Sequence, residues 1–281
     1  MNKKDIIFIL NQLKIHPQKH LGQNFLVDDN ILNKMISLSE ITRDDVILEI
    51  GPGLGFITEK LVERAKKVYA IEIESKFCTY LDNKFSDVHN IEIINDDILR
   101  IDLPFHDKIV SNIPYTITGP ILEKIFYKKK PPVGIMIIER AIAQRIFYDG
   151  RYKNFSRITI SSNSFLKPIE KYEISHNSFY PVPKIELSLV KLIPKENISK
   201  FLLENDKREF FLRFIAGIMP YKNKKIANAL LHFFDTISSV QLEKDKILQI
   251  LKDNNFPNDK LFRLKLEDFV FLNKIFFNRF H

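Results

Sequence analysis

Hydrophobic and polar positions follow two regimes along the chain. From Asp45 to Pro194, short runs of Val, Ile and Leu alternate with helix-length stretches in which apolar positions recur every third or fourth residue. "DVILEIG", "KVYAIEIE", "NIEIINDDIL", "DKIVSNIP" and "VGIMIIE" predict strands. "FITEKLVERA", "SKFCTYLDNKF", "GPILEKIF" and "RAIAQRIFY" predict the helices between them. Strands without polar alternation, separated by helices, predict a parallel sheet covered on both faces. A β-rich stretch, from "SRITISSNSF" to "IELSLVKLIP", is expected to close this part. After Pro194 the pattern is helical: "ENDKREFFLRFIAGIM", "KNKKIANALLHFF", "LEKDKILQIL" and "KLEDFVFLNKIFF". The pattern therefore predicts an α/β, Rossmann-like domain over residues 1–194 and a small α-helical domain over 195–281, with no internal repeat.

Composition narrows the class without naming a chemistry. At 281 residues, 45% hydrophobic and 28% charged, the chain can fill two cores. The single cysteine, Cys78, excludes an internal disulfide and a multi-cysteine zinc site, and reads as a small buried apolar residue. Seven histidines without ligand spacing predict no metal. The apolar run "IIFIL" is too short to span a bilayer and lacks a cleavage site, so a cytoplasmic protein is expected. A net charge of +8 points to a polyanionic partner. In sequence the excess is shared: residues 196–281 hold 15 Lys/Arg against 11 Asp/Glu, and 28 against 24 precede them.

Parallel sheets bind ligands beyond the carboxyl ends of their strands, and every candidate motif falls at such an end. "LEIGPGLGFITEKL" places Gly51, Gly53 and Gly55 between a strand and a helix, where the backbone can approach a ligand closely. A dinucleotide fingerprint starting at Gly51 needs a glycine where Phe56 stands. The G-x-G-x-G spacing after Glu49 suits a nucleoside–methionine ligand better than a pyrophosphate. Glu72 lies 19 residues beyond Gly53, where a carboxylate can accept from both ribose hydroxyls. Asp97 is placed to accept from an adenine amine, and Ile98 to offer an apolar face. Singly these read equally as a glycine turn, a solvated acid and a turn-forming aspartate. Together they predict an S-adenosylmethionine site.

The fourth strand ends in "VSNIPYTITGP", an amide, a proline and an aromatic in place of an ordinary polar turn. With "HLGQNFLVDDNIL", "LEIGPGLGFIT", "NDDIL" and "SFYPVPKI" in this order, the chain resembles the ribosomal RNA adenine N6,N6-dimethyltransferases and, more distantly, the Erm resistance methyltransferases. The resemblance implies that Asn24 and Leu26 line the cofactor pocket from an N-terminal segment (residues 1–25) folded over it. Gly51, Gly53, Glu72, Asp97, Ile98 and Asn112 would complete the cofactor contacts. Asn112, Ile113, Pro114 and Tyr115 would form the catalytic motif, with Phe179 as a second aromatic wall for the target base. The implied reaction is dimethylation of two adjacent adenosines near the 3′ end of small-subunit rRNA, by a monomer acting on an immature subunit. Ile113, Thr116 and Ser156 depart from the commonest pattern. Competing expectations are Erm-like methylation of large-subunit rRNA, N6-adenine methylation of DNA, and an RNA-binding assembly or transcription factor. Lys128–Lys130, Arg151–Arg157 and Lys222, Lys224 and Lys225 are candidate phosphate contacts.

Overall fold

The structure, a computed structural model, describes residues 3–17, 22–236 and 242–280. It divides into two compact units, one of Met1–Phe126, Pro131–Ala143 and Lys167–Pro194, the other of Tyr127–Lys130, Gln144–Leu166 and Lys195–His281. In chain order the elements are α1 (Lys3–Gln12), β1 (Phe25–Leu26), α2 (Asp29–Ser39), β2 (Val46–Ile50), α3 (Phe56–Val62), β3 (Lys67–Glu72), α4 (Ser75–Lys84), β4 (Ile91–Asn95), β5 (Lys108–Asn112), α5 (Thr118–Ile121), β6 (Val133–Glu139), α6 (Arg140–Ile146), α7 (Arg157–Phe165), β7 (Leu166–Ile174), β8 (Phe179–Tyr180) and β9 (Leu187–Pro194).

The expected strands form one sheet in the order β4-β3-β2-β5-β6-β9-β7. From β4 to β6 all neighbours are parallel, while β9 runs antiparallel to β6. Chain order reverses between β2 and β5, and the carboxyl ends of those two strands flank the crevice this topology reserves for a ligand. Ser111 Oγ donates to the Ile50 carbonyl at 2.5 Å and ties the two strands at that point. On one face α2 packs Leu32, Met35 and Ile36 against Ile47, Val110, Ile135 and Ile137. Elsewhere Ile6 and Leu10 of α1 join Phe25, Leu54 and Phe77 in a second cluster. Asp28 starts α2 by accepting from the backbone N–H groups of Asn30 and Ile31.

The second unit contains α7 and then α8 (Asn205–Ile218), α9 (Ile226–Asp235), α10 (Lys244–Asp253) and α11 (Leu266–Phe280). Its core is aromatic: Phe211, Phe214, Phe234, Phe269 and Phe276 are all buried. Phe214 meets Phe233 edge-on at 5.2 Å, and Phe234 lies 5.4 Å from Phe276.

Two expectations are corrected here. "RITISSNSF" is a helix, α7, not the start of a β-rich stretch. Ser156 caps it: its hydroxyl accepts from Thr159 N, and Thr159 Oγ1 accepts from Ser156 N at 3.1 Å. That reciprocal capping box outweighs the strand preference of the β-branched run. Nor do the units divide at Pro194 alone, because residues 127–130 and 144–166 group with the C-terminal helices. Phe155 packs on Phe269 at 5.8 Å and Tyr152 on Phe262 at 4.9 Å. Lys222 Nζ donates to the carbonyls of Tyr152 and Phe155 at 2.8 and 2.7 Å.

Candidate active site

A cavity of about 200 Å³ opens at the carboxyl ends of β2, β3 and β5. Its walls include Asn24, Leu26, Gly51, Gly53, Glu72, Asp97, Ile98, Asn112 and Pro114, so segments far apart in sequence converge on one site. Gly53 sits at φ +56°, and a Cβ there would lie 2.9 Å from the Phe25 ring. The loop therefore needs glycine both for its backbone and for the close approach of the N-terminal segment. Phe56, at the position that excluded the dinucleotide motif, lines the cavity from the start of α3.

Glu72 is 5% exposed at the end of β3. Its Oε2 accepts from Gly53 N at 3.1 Å and its Oε1 from Glu74 N at 3.0 Å. Burial pushes its carboxyl above the usual range, and the backbone donors oppose that shift. The carboxylate is thus fixed by the glycine loop it faces. Behind it Cys78 is buried, its thiol pushed up to about 11, chiefly by burial, which leaves an inert packing residue.

Asp97 lines the cavity in a second capacity as well, since its Oδ1 accepts from Leu99 N at 2.9 Å and its Oδ2 pairs with Arg100 at 3.2 Å. Both readings of this residue, turn former and cavity wall, hold together. Ile98 is buried at the same bend.

Asn112 closes the far side. Its Nδ2 donates to the Asn24 carbonyl at 2.7 Å, which leaves the amide oxygen as its free acceptor. Asn24 is itself held by a bond from its Nδ2 to the Gly22 carbonyl at 3.1 Å. The N-terminal segment therefore orients the amide as well as walling the cavity. Ile113 is buried, and its N–H donates to the Ile137 carbonyl at 3.1 Å, extending the β5–β6 ladder one residue beyond the strand. Pro114, at φ −57°, then breaks the ladder, and its carbonyl accepts from Ile117 N to form a 3₁₀ turn at Tyr115–Ile117. Tyr115 packs against Gly22, where a Cβ would come within 3.2 Å of its ring.

Phe179 takes a different place from the one expected. It is 2% exposed within the α2 core cluster, and it lies in β8, paired antiparallel to β1 with Leu26 opposite Phe179 and Phe25 opposite Tyr180. The neighbouring Ser178 carbonyl accepts from Val27 N at 2.8 Å, and its hydroxyl donates to Asp28 at 2.7 Å. The "SFY" motif fastens the segment that carries Asn24 and Leu26. A ring buried in this way offers no face to a base. Met1, Asn2 and residues 18–21, part of the predicted N-terminal cover, lie outside the described residues.

A family model described as ribosomal RNA adenine dimethylase matches residues 15–262. The chain belongs to the ribosomal RNA adenine dimethylase family. It is 30% identical over 302 residues to a ribosomal RNA small subunit methyltransferase A of Natranaerobius thermophilus, covering 98% of this chain and 97% of that one. A dimethyladenosine transferase of Plasmodium falciparum superposes with a TM-score of 0.75 at 26% identity, covering 91% and 98% of the two chains. The 23S rRNA methyltransferase ErmE shares the fold, with a TM-score of 0.61 at 24% identity over 89% of this chain and 98% of that one. Family membership agrees with the α/β fold read from the strand pattern and with the motif order that carried the resemblance.

Sequence reasoning passed over several walls of the cavity: Gln23, Phe56, Ile73, Phe77, Asp96, Thr116 and Ile117. Ile73 had a legible signal, being an apolar residue just past a strand-end acid, and it remains 57% exposed at the cavity. Among the described residues no group of acids, histidines or cysteines is arranged to hold a metal, and no helix is long and apolar enough to cross a membrane.

Proposed function

We propose that this protein dimethylates the N6 amines of two adjacent adenosines near the 3′ end of small-subunit rRNA, using S-adenosylmethionine, and that it acts as a cytoplasmic monomer on an immature subunit. The observation that carries the reading is the Asn112 amide, turned by the Asn24 carbonyl so that its oxygen is free at the rim of the cavity that also holds Glu72 and the glycine loop.

The residues present fit that cofactor. Glu72 is a fixed acceptor for ribose hydroxyls, Asp97 and Ile98 offer an acceptor and an apolar face for adenine, and Gly51, Gly53, Asn24 and Leu26 leave backbone-lined room beside them. When bound, S-adenosylmethionine supplies an electrophilic methyl group. The remaining requirements fall on the protein. An adenine N6 lone pair is delocalised into the ring, so the amine needs acceptors that draw its hydrogens out of plane and offset the positive charge that develops there. The Asn112 amide oxygen and the Ile113 carbonyl serve as those acceptors. Pro114 removes a competing N–H and sets the turn, and Tyr115 stacks on the base once it has left its helix. The excess proton on N6 is strongly acidic and passes to water, so no general base is assigned.

The helical unit is the rRNA-binding element in this reading. Lys129, Lys130, Arg151, Lys153, Lys224 and Lys225 are among its exposed candidates, whereas Lys222 is engaged with two carbonyls. Supplying radiolabelled S-adenosylmethionine separately with immature small subunits, large subunits and DNA tests the function. Label is expected in the small-subunit RNA, as dimethyladenosine. Label confined to large-subunit RNA or to DNA overturns the reading.

A further inference from the structure

The helical unit has a cavity of its own, of about 420 Å³, within the size range of small-molecule sites. One bank comes from the end of α7 and the segment after Pro194, with Asn163, Lys195 and Lys200. The other is the first three turns of α11, with Phe271 and Lys274, and the one acid in the lining is Glu267. Phe271 is 48% exposed, yet its ring is not loose. Buried Phe256 stacks against it, with centroids 5.9 Å apart and planes 22° apart. A large apolar ring is thus held in a set plane with much of its surface in water.

The charges around that ring are available. Lys195 Nζ is anchored on the Asn163 carbonyl at 3.0 Å. Lys200 and Lys274 are exposed, and neither forms an ion pair among the described residues. Three lysines against one glutamate, in a unit with a large basic excess, select an anionic ligand. A nucleotide offers a π-face and a phosphate one sugar apart, matching a pinned ring beside two free ammonium groups. An acidic peptide supplies the charge without the face.

We propose that this groove docks an unpaired nucleotide of the rRNA, with its base stacked on Phe271 and flanking phosphates against Lys200 and Lys274. The proposal rests on the rRNA reading above and adds a contact away from the reacting adenine.

The test measures binding of the full chain to immature small subunits and to a short single-stranded oligoribonucleotide across a salt series. For the oligonucleotide, Lys200→Ala with Lys274→Ala is expected to make the slope of log K against log salt shallower by about 1.4, because each phosphate contact on a single strand contributes about 0.7. Phe271→Ala is expected to weaken oligonucleotide binding by roughly 5- to 100-fold, and Phe271→Tyr to retain it. Melting temperatures show which variants fold, and the lysine pair decides the matter if Phe271→Ala does not. Unchanged affinity and slope in the lysine pair, with methylation of subunits by the wild-type chain intact, overturns the groove and leaves the function standing. Weakened binding to subunits alone, with the oligonucleotide unaffected, assigns the groove to folded RNA or protein of the subunit and overturns the unpaired-nucleotide proposal also. A wild-type chain that neither binds nor labels small subunits contradicts the function itself, and the groove proposal falls with it.

Discussion

The two units differ most in charge. Of the chain's 43 basic and 35 acidic residues, the sheet-bearing unit holds 20 and 23, and the helical unit 23 and 12. Their net charges are therefore −3 and +11 of the total of +8. Divided linearly after residue 195, the same sequence gives +4 on each side, and no partner can be assigned to either part. The difference comes from Lys128–Lys130, the Arg145–Arg157 stretch and Lys195, which pack with the C-terminal helices. Polyanion attraction is thus concentrated in one unit, while the other builds a cavity around the buried carboxylate of Glu72. A division of labour between binding and chemistry is expected from that contrast.

Replacing the ring that pins the N-terminal segment affects the sheet-bearing unit most. Phe179→Ala is expected to cost about 3–5 kcal/mol of stability, read by denaturant unfolding, because the ring is fully packed. Phe179→Leu should keep most of the activity. If Phe179→Leu instead abolishes transfer at normal stability, the ring does contact the base and its placement in the core cannot account for its role.

The buried acid before the glycine loop gives the same unit a pH signature. Glu49 is 1% exposed, its Oε2 accepts from Thr58 Oγ1 at 2.7 Å, and burial pushes its carboxyl up to about 8 from 4.5. Between those two values the folded state holds a proton that the unfolded chain has released, so this group's contribution to stability is full below pH 4.5 and declines until pH reaches about 8. Glu49→Gln should flatten that part of the melting-temperature profile. A profile that falls just as steeply in the variant contradicts the assignment.

In the helical unit the two kinds of lysine can be separated. Lys224→Ala with Lys225→Ala should lower the salt slope of RNA binding by roughly 1.4–1.8 with little change in stability. Lys222→Ala should instead cost about 1–2 kcal/mol of stability, since two carbonyls lose their donor. The reverse pattern would make Lys222 a phosphate contact. The smallest effect is expected at the α7 cap, where Ser156→Ala should cost about 1 kcal/mol and Ser156→Gly only a few tenths, measured by thermal unfolding.

Much of this was legible in the sequence because it rests on local chemistry. Unbroken Val/Ile/Leu runs specify buried parallel strands, and acids and glycines at their ends mark Gly53, Glu72 and Asp97, while Asn112 stands out through the family motif it opens. What was not legible depends on partners distant in sequence, or on local caps masked by strand propensity or by a motif. Phe179 in the chain is one of 24 phenylalanines, and only its pairing with Leu26 identifies it as an anchor. The strand propensity of "RITI" concealed α7, since the deciding bonds run between Ser156 and Thr159. Helix α2 has an ordinary N-cap in Asp28, but its first turn overlaps the family motif "HLGQNFLVDDNIL", which masks its period. The bond from Asn112 to the backbone of Asn24 spans 88 residues and leaves no trace in composition.

That bond underlies the central claim, that an amide held in one orientation supplies the acceptor for the target amine. Turnover of Asn112→Ala on immature small subunits, with S-adenosylmethionine binding and melting temperature recorded on the same preparation, tests it most directly. The expected result is a loss of at least about 100-fold in turnover, the scale of removing one preorganised electrostatic partner from a transition state, in a chain that still folds. Near-wild-type turnover in a folded variant would contradict it.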